Sequence, residues 1–367
     1  MNKNRVRRKG MVFRIVPALV SLVIVLLLLE VYVRIFLKER VDTDLLMAGF
    51  KPTSVQSFIR QSPDPAIHFE LKPSVSMDWY GSRVVTGPEG YRVSDEVEEA
   101  REGVVRIAVL GDSSSFGWLV NYRDSYPERY RRQMEAYTQA PTELRNYSVP
   151  GYNTKQELHT FLTKVMSYKP DLLIVHRDHN DPDPTGIYGL PYYLRPKYGD
   201  NIFHSALIKY ILRRFRRFQH RNKSSNSKEG HEYVGVYIVG GRLYEDHLKD
   251  FQRLAEATRS LNIPTVVILF NAFVNADENY ENDSGYIKLH KQLRNRLTDM
   301  GFHVLDMYPL YQAELQRRGW PDLSEWWISS NEPVDGHPNA QGHQYIADKL
   351  FEYTLAHPEL KAIFQEK

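Results

Sequence analysis

The stretch VVRIAVLGDSSSFG, residues 104–117, decides how the chain is read. Its opening run, Val104 to Leu110, is apolar apart from Arg106 and rich in β-branched residues, the pattern of a strand covered on both faces in a parallel sheet. Gly111 then permits a sharp turn, and Asp112 to Ser115 are residue types that start helices. Outward from this unit the same rhythm repeats. LRNYSV (144–149), DLLIVH (171–176), PTVVILF (264–270) and FHVLDMY (302–308) read as further buried strands. Helical stretches lie around 124–138, 154–167, 243–261 and 286–300, and a last one follows Asn339. Such alternation predicts a doubly wound α/β sandwich with a parallel sheet over residues 101–367. In that architecture reactive groups belong at the carboxyl ends of the strands.

The region before the sandwich reads differently. Lys3, Arg5, Arg7, Arg8 and Lys9 precede an apolar run from Ile15 to Leu29. Extended to residues 11–37, with Arg14 and Arg34 reaching towards headgroups, the segment is long enough for a spanning helix. No small-x-small cleavage site follows Leu29, so an uncleaved anchor is expected. The basic tail (1–10) would then be cytoplasmic and the rest extracytoplasmic, in a bacterial periplasm or on the outer membrane face. Residues 38–100, punctuated by Pro52, Pro63, Pro65, Pro73 and Pro88, read as a membrane-proximal stalk and a strand-rich preface. Short strands are expected there near 67–71 and 82–85. The tract 201–235, where a basic amphipathic helix runs into a polar segment, interrupts the alternation as an insert.

Composition narrows the chemistry. The chain has 367 residues and no cysteine, which excludes disulfides, thiolate metal sites and a cysteine nucleophile. Residues 1–40 hold nine Lys/Arg against Glu30 and Glu39. The remainder carries 39 basic and 43 acidic side chains, so nucleic acid is not an expected partner.

The candidate site residues stand where the strands end. Ser113 follows the first strand of the sandwich. Asp335-Gly-His337-Pro-Asn339 lies just before the last helix, which Pro338 and Asn339 open. A serine hydroxyl needs an imidazole to take its proton and a carboxylate to orient that imidazole, roles open to His337 and Asp335. Gly151, after the second strand, can present its backbone N–H, and Asn180, after the third, a side-chain amide. With the Ser113 N–H these make three donors for a tetrahedral oxyanion. The His176/Asp178/His179/Asp181/Asp183 cluster also admits a metal reading, but no second ligand cluster accompanies it.

The blocks Gly111-Asp112-Ser113, Gly151, Asn180-Asp181 and Asp335/His337 together resemble the SGNH, or GDSL-type, hydrolase family. Gly90-Tyr91-Arg92 and Phe116-Gly117-Trp118-Leu119-Val120 resemble its membrane-anchored bacterial members. The resemblance implies a flavodoxin-like three-layer α/β/α fold and metal-free, cofactor-free cleavage of an ester acyl group. Ser113 would be the nucleophile, His337 the base and Asp335 the third member, with Ser113, Gly151 and Asn180 forming the oxyanion hole. Two positions depart from the family pattern. Its acid usually stands three residues before the histidine, where this chain has Val334, and Asp178 replaces a customary glycine two residues before Asn180. The expected substrate is an O-acylated, above all O-acetylated, envelope glycan or lipid. Acyl transfer to a sugar hydroxyl, and a catalytically silent binding relative, are the alternative readings.

Overall fold

In the computed structural model of the chain, the strands arise where doubly buried runs were expected. Residues 21, 25–32, 57–79, 81–94, 103–178, 181–182, 242–270, 274–277, 280, 285–328 and 337–365 are described. The chain divides into two units, Met1–Lys51 with Arg195–Glu232, and Pro52–Leu194 with Tyr233–Lys367. In the first unit the described residues are helical, and Val25 to Leu29, Val31 and Tyr32 expose their side chains. No helix among the described residues is long and apolar enough to cross a membrane. The expected anchor at 11–37 and the insert at 201–235 fall mostly or wholly outside the described residues.

The second unit holds the sandwich. Its strands are β1 (Ile59–Gln61), β2 (Phe69–Leu71), β3 (Ser76–Trp79), β4 (Ser82–Thr86), β5 (Arg92–Val93), β6 (Val105–Leu110), β7 (Thr142–Asn146), β8 (Leu172–Arg177), β9 (Thr265–Leu269) and β10 (His303–Asp306). Helices are α1 (Ser113–Phe116), α2 (Tyr126–Thr138), α3 (Thr154–Thr160, continuing helical to Tyr168), α4 (Arg242–Ser260), α5 (Gly285–Asp299), α6 (Met307–Arg318), α7 (Ala340–Ala356) and α8 (Pro358–Ala362).

An eight-stranded sheet runs in the order β10-β9-β8-β6-β7-β5-β4-β3. From β10 to β7 all neighbours are parallel, in the flavodoxin-like order with the topological switch point between β6 and β8. The side chains of these strands alternate between two cores. Val105, Ile107 and Val109 join Ile174 and Ile268 beneath α2, α6 and α7. Ala108 and Leu110 join Val175 and Val267 beneath α3, α4 and α5. Burial on both faces is why β6, β8 and β9 read as apolar runs.

The structure departs from the expected purely parallel sheet. Strands β5, β4 and β3 of the preface continue the same sheet beyond β7, each antiparallel to its neighbour. The sheet is therefore mixed, and the preface is part of it. A second difference concerns 302–308, where the strand stops at Asp306. The Asp306 carboxylate accepts the Tyr308 N–H at 3.0 Å and caps α6. That carboxylate also meets His290 Nε2 at 2.7 Å and the Tyr280 hydroxyl at 2.5 Å, fastening α5 to the end of β10.

Candidate active site

The nucleophile turn is built by a glycine and an aspartate. Gly111 has φ of +152°, and a Cβ there would collide with Ser115 Oγ and come within 3.0 Å of His176 Cβ. Asp112 accepts the Ser114 N–H at 2.9 Å and caps α1. Ser113, first in that helix, is half-buried, and its Oγ lies 2.8 Å from His337 Nε2. The two residues are 224 positions apart in sequence. A serine hydroxyl within hydrogen-bond reach of an imidazole is the arrangement proton abstraction requires. Gly111→Ala is expected to displace this turn and lower ester turnover by roughly 10²-fold, since small misplacements of reacting atoms cost that much. Turnover with the same melting temperature and the same rate as wild type would contradict this account of the turn.

His337 is held by short extended pairing. Trp327 bridges Pro338, the Ile328 N–H donates to the His337 carbonyl at 3.0 Å, and the Asn339 N–H donates to Trp326 O at 2.7 Å. The Asn339 side chain then caps α7 by accepting the N–H groups of Gln341 and Gly342. The Trp118 ring stacks on the His337 ring at 5.7 Å and 28°. Trp79 of β3 meets Trp118 edge-on at 4.6 Å, and Phe58 meets Trp79 at 5.2 Å. The preface thus supplies one aromatic wall of the site.

Beneath the turn lies a buried polar layer. Ser114 Oγ donates to Asp178 Oδ2 at 2.7 Å, and the Asp178 N–H donates to Asp181 Oδ1 at 3.3 Å. Thr154 Oγ1 donates to the other Asp181 oxygen at 3.1 Å. Burial pushes Asp181 up to about 7, opposed by Arg177 and reinforced by Asp178. Burial, with Asp181 and Asp112 nearby, also raises Glu157 well above the carboxylate range. Neither Glu157 carboxyl oxygen has a hydrogen-bond partner among the described residues. His176 shares a hydrogen bond with the Tyr126 hydroxyl at 3.2 Å, and burial lowers it to about 4. Among the described residues no group of three or more His, Asp or Glu could hold a metal ion; His179 and Asp183 lie outside them.

Of the residues singled out in the sequence, Ser113 and His337 come together. Gly151, half-buried with φ of +82°, stands in the β7–α3 loop. That loop is fastened to the nucleophile turn: the Val149 N–H donates to Gly111 O at 3.1 Å, and Asn146 Nδ2 to Ser115 O at 2.7 Å. Asn180 and Asp335 lie outside the described residues. Sequence reasoning missed the tie between Ser114 and Asp178 and the wall from Phe58 to Trp118. The triplet of serines held a signal for the first, because only one of three adjacent hydroxyls can face the reacting atoms.

Comparison with known proteins follows this geometry. The model of the GDSL-like Lipase/Acylhydrolase family matches residues 109–345. No curated protein matches the chain. Among solved structures, the acetyl xylan esterase AlAXEase aligns at 14% identity and a TM-score of 0.42, covering 68% of this chain and 98% of that one. A catalytic mutant of Axe2, an acetylxylan esterase from Geobacillus stearothermophilus, aligns at 12% identity and TM-score 0.41, covering 68% and 93%. Esterase EstA from Pseudoalteromonas sp. aligns at 13% identity and TM-score 0.39, covering 69% and 97%.

Proposed function

Because the chain belongs to the GDSL-like lipase/acylhydrolase family, we propose that it cleaves O-acyl esters, chiefly O-acetyl esters, of an envelope glycan or lipid through an acyl-enzyme on Ser113. The observation that carries this reading is the 2.8 Å contact between Ser113 Oγ and His337 Nε2 at the switch point of the sheet. As Ser113 Oγ attacks the acyl carbonyl, His337 takes its proton. The Ser113 and Gly151 N–H groups and the Asn180 amide receive the developing oxyanion, and Asp335 orients the imidazole. His337 then returns the proton to the departing alkoxide, and water releases the acyl group from Ser113 by the reverse sequence.

A fluorophosphonate probe and p-nitrophenyl acetate test the nucleophile. Labelling and turnover that Ser113→Ala abolishes support the reading; labelling that persists in that variant, or none in the native chain, refutes it. Release of free acid from O-acetylated glycan, measured against transfer to added sugar, separates hydrolysis from acyl transfer.

The location has its own support and its own test. Five basic residues precede the apolar run, and the bulk of the chain beyond it is mildly acidic. The protein is expected to stay with membranes after alkaline carbonate washing, with Met1 or its neighbours as mature N-terminus. Recovery in the supernatant, or a mature N-terminus beyond residue 30, would refute the anchor.

A further inference from the structure

Arg92, on β5, is wholly buried, and no carboxylate forms an ion pair with it among the described residues. Backbone carbonyls accept from both terminal nitrogens of its guanidinium, while Nε has no acceptor among the described residues. Nη1 donates to Phe116 O and to Gly117 O, the latter at 2.6 Å, and Nη2 donates to Val120 O at 2.9 Å and Arg83 O at 3.1 Å. The guanidinium carbon also lies 4.3 Å from the centre of the Phe116 ring. Three of the four carbonyls belong to the turn that leaves α1. Within α1 the Ser113 and Ser114 carbonyls accept the Gly117 N–H and the Ser115 carbonyl accepts Asn146 Nδ2, so the last carbonyl, that of Phe116, is the one this cation takes from another strand. Gly117 makes room for it: at φ of +81°, a Cβ there would stand 3.0 Å from Nη1.

The same turn is tied to two groups that face His337. Its inner side is closed on the nucleophile itself, because the Trp118 N–H donates to Ser113 O at 3.0 Å and the Phe116 N–H to Asp112 O at 2.9 Å. Ser113 touches His337 by its hydroxyl, and Trp118 stacks on the imidazole. Any shift of residues 116–120 is therefore transmitted to Ser113 and to the ring beside its base. Burying a guanidinium without a carboxylate is costly, and the planar fork of its two terminal nitrogens lets it hold four carbonyls at once. Burial lowers its pKa to about 10, which leaves it a cation at neutral pH.

We propose that Arg92 is a positioning residue for the reaction: by clamping the carbonyls of Phe116, Gly117 and Val120 it fixes Ser113 and Trp118 against His337. The inference rests on the reading of Ser113 as nucleophile. It makes the preface part of the catalytic framework, because the clamp reaches the site from β5.

The test uses the full-length protein, with competent sites counted by fluorophosphonate titration so that misfolded protein drops out. Arg92→Gln is expected to lower kcat per titrated site with p-nitrophenyl acetate by roughly 10²-fold, with KM within about threefold of wild type. Arg92→Lys, which keeps the charge and loses the fork, should fall between the two. A purely structural role would lower the melting temperature and leave the rate per titrated site unchanged. That result in either variant overturns the proposal, and if Arg92→Gln yields no folded protein, Arg92→Lys decides alone. Ser113→Ala run alongside separates the two failures: full turnover in that variant sinks the nucleophile assignment and the clamp's role with it. Abolished turnover there, beside a wild-type rate in the Arg92 variants, sinks the clamp alone.

Discussion

Ser113→Ala and His337→Ala are each expected to lower kcat/KM for p-nitrophenyl acetate by roughly 10⁴-fold or more, and the double variant to fall no further. In the proposed mechanism the hydroxyl and the imidazole, 2.8 Å apart, act as one device, so losing either would lose the whole proton transfer. The neighbouring serines provide the contrast. Ser114 Oγ is committed to Asp178 and Ser115 Oγ to the Asp112 carbonyl, both in buried surroundings. Alanine at either position is expected to act through stability, by leaving an acceptor or a space behind, and not to abolish labelling. Asp335→Asn should cost less than either member of the pair, because the serine–imidazole contact persists without it. Strictly additive losses in the double variant, or full activity in Ser113→Ala, would show that these two residues are not the reacting pair.

Asp306→Ala is expected to be the most damaging single change to stability outside the site, because it removes a carboxylate that hydrogen-bonds three partners, and each buried group left without its partner typically costs about 1–3 kcal/mol. His290, its 2.7 Å partner, is 1% exposed and would lose that contact. Tyr280 loses its acceptor, and α6 loses the cap at Tyr308. The pH dependence has a definite sign. Burial raises the Asp306 carboxyl, but hydrogen bonds from His290 and Tyr280 and the Tyr308 N–H outweigh it and hold it below the ordinary 3.8. A carboxyl lowered in the folded state gives stability that is present above 3.8 and lost as pH falls through its folded value. Calorimetric melting at pH 7 and near pH 3 checks both parts: the gap between wild type and variant should narrow at the acid end. An equal gap at both values would mean that the carboxylate's charge contributes nothing.

Much of this was legible in the sequence, and the physical reasons differ by element. The central parallel strands β6, β8 and β9 announce themselves because burial on both faces forces β-branched apolar runs. Ser113 and His337 are legible because their chemistry demands them at strand ends, in an order the family shares. The junction of β5 with β7 is not legible: β5 has two residues, and pairing with a strand fifty positions away leaves no local pattern. Arg92 misleads for a related reason, since a lone arginine in a short strand reads as solvent-facing until the carbonyls around it are known. The strand at 302–308 was read too long because Met307-Tyr308 are apolar. The decisive feature was Asp306, a residue that caps helices, with Pro309 tolerated in the first turn that follows.

The continuity of β3, β4 and β5 with the sheet also governs how the molecule avoids its own kind. Every open sheet ends in strands with unpaired backbone groups, and long apolar ends invite other chains to add on. On this side the terminal strand is β3, only four residues long, with Asp78 outward and ion-paired to Arg83 of β4. Short length and charge are the usual means of blunting such an end. A fragment that began at Val104 would instead end in β7, whose alternate side chains are buried in the intact fold. It would meet neighbouring molecules with a bare ladder of donors and acceptors. Residues 76–93 therefore cover an edge that the segment matching the family, taken alone, would leave open.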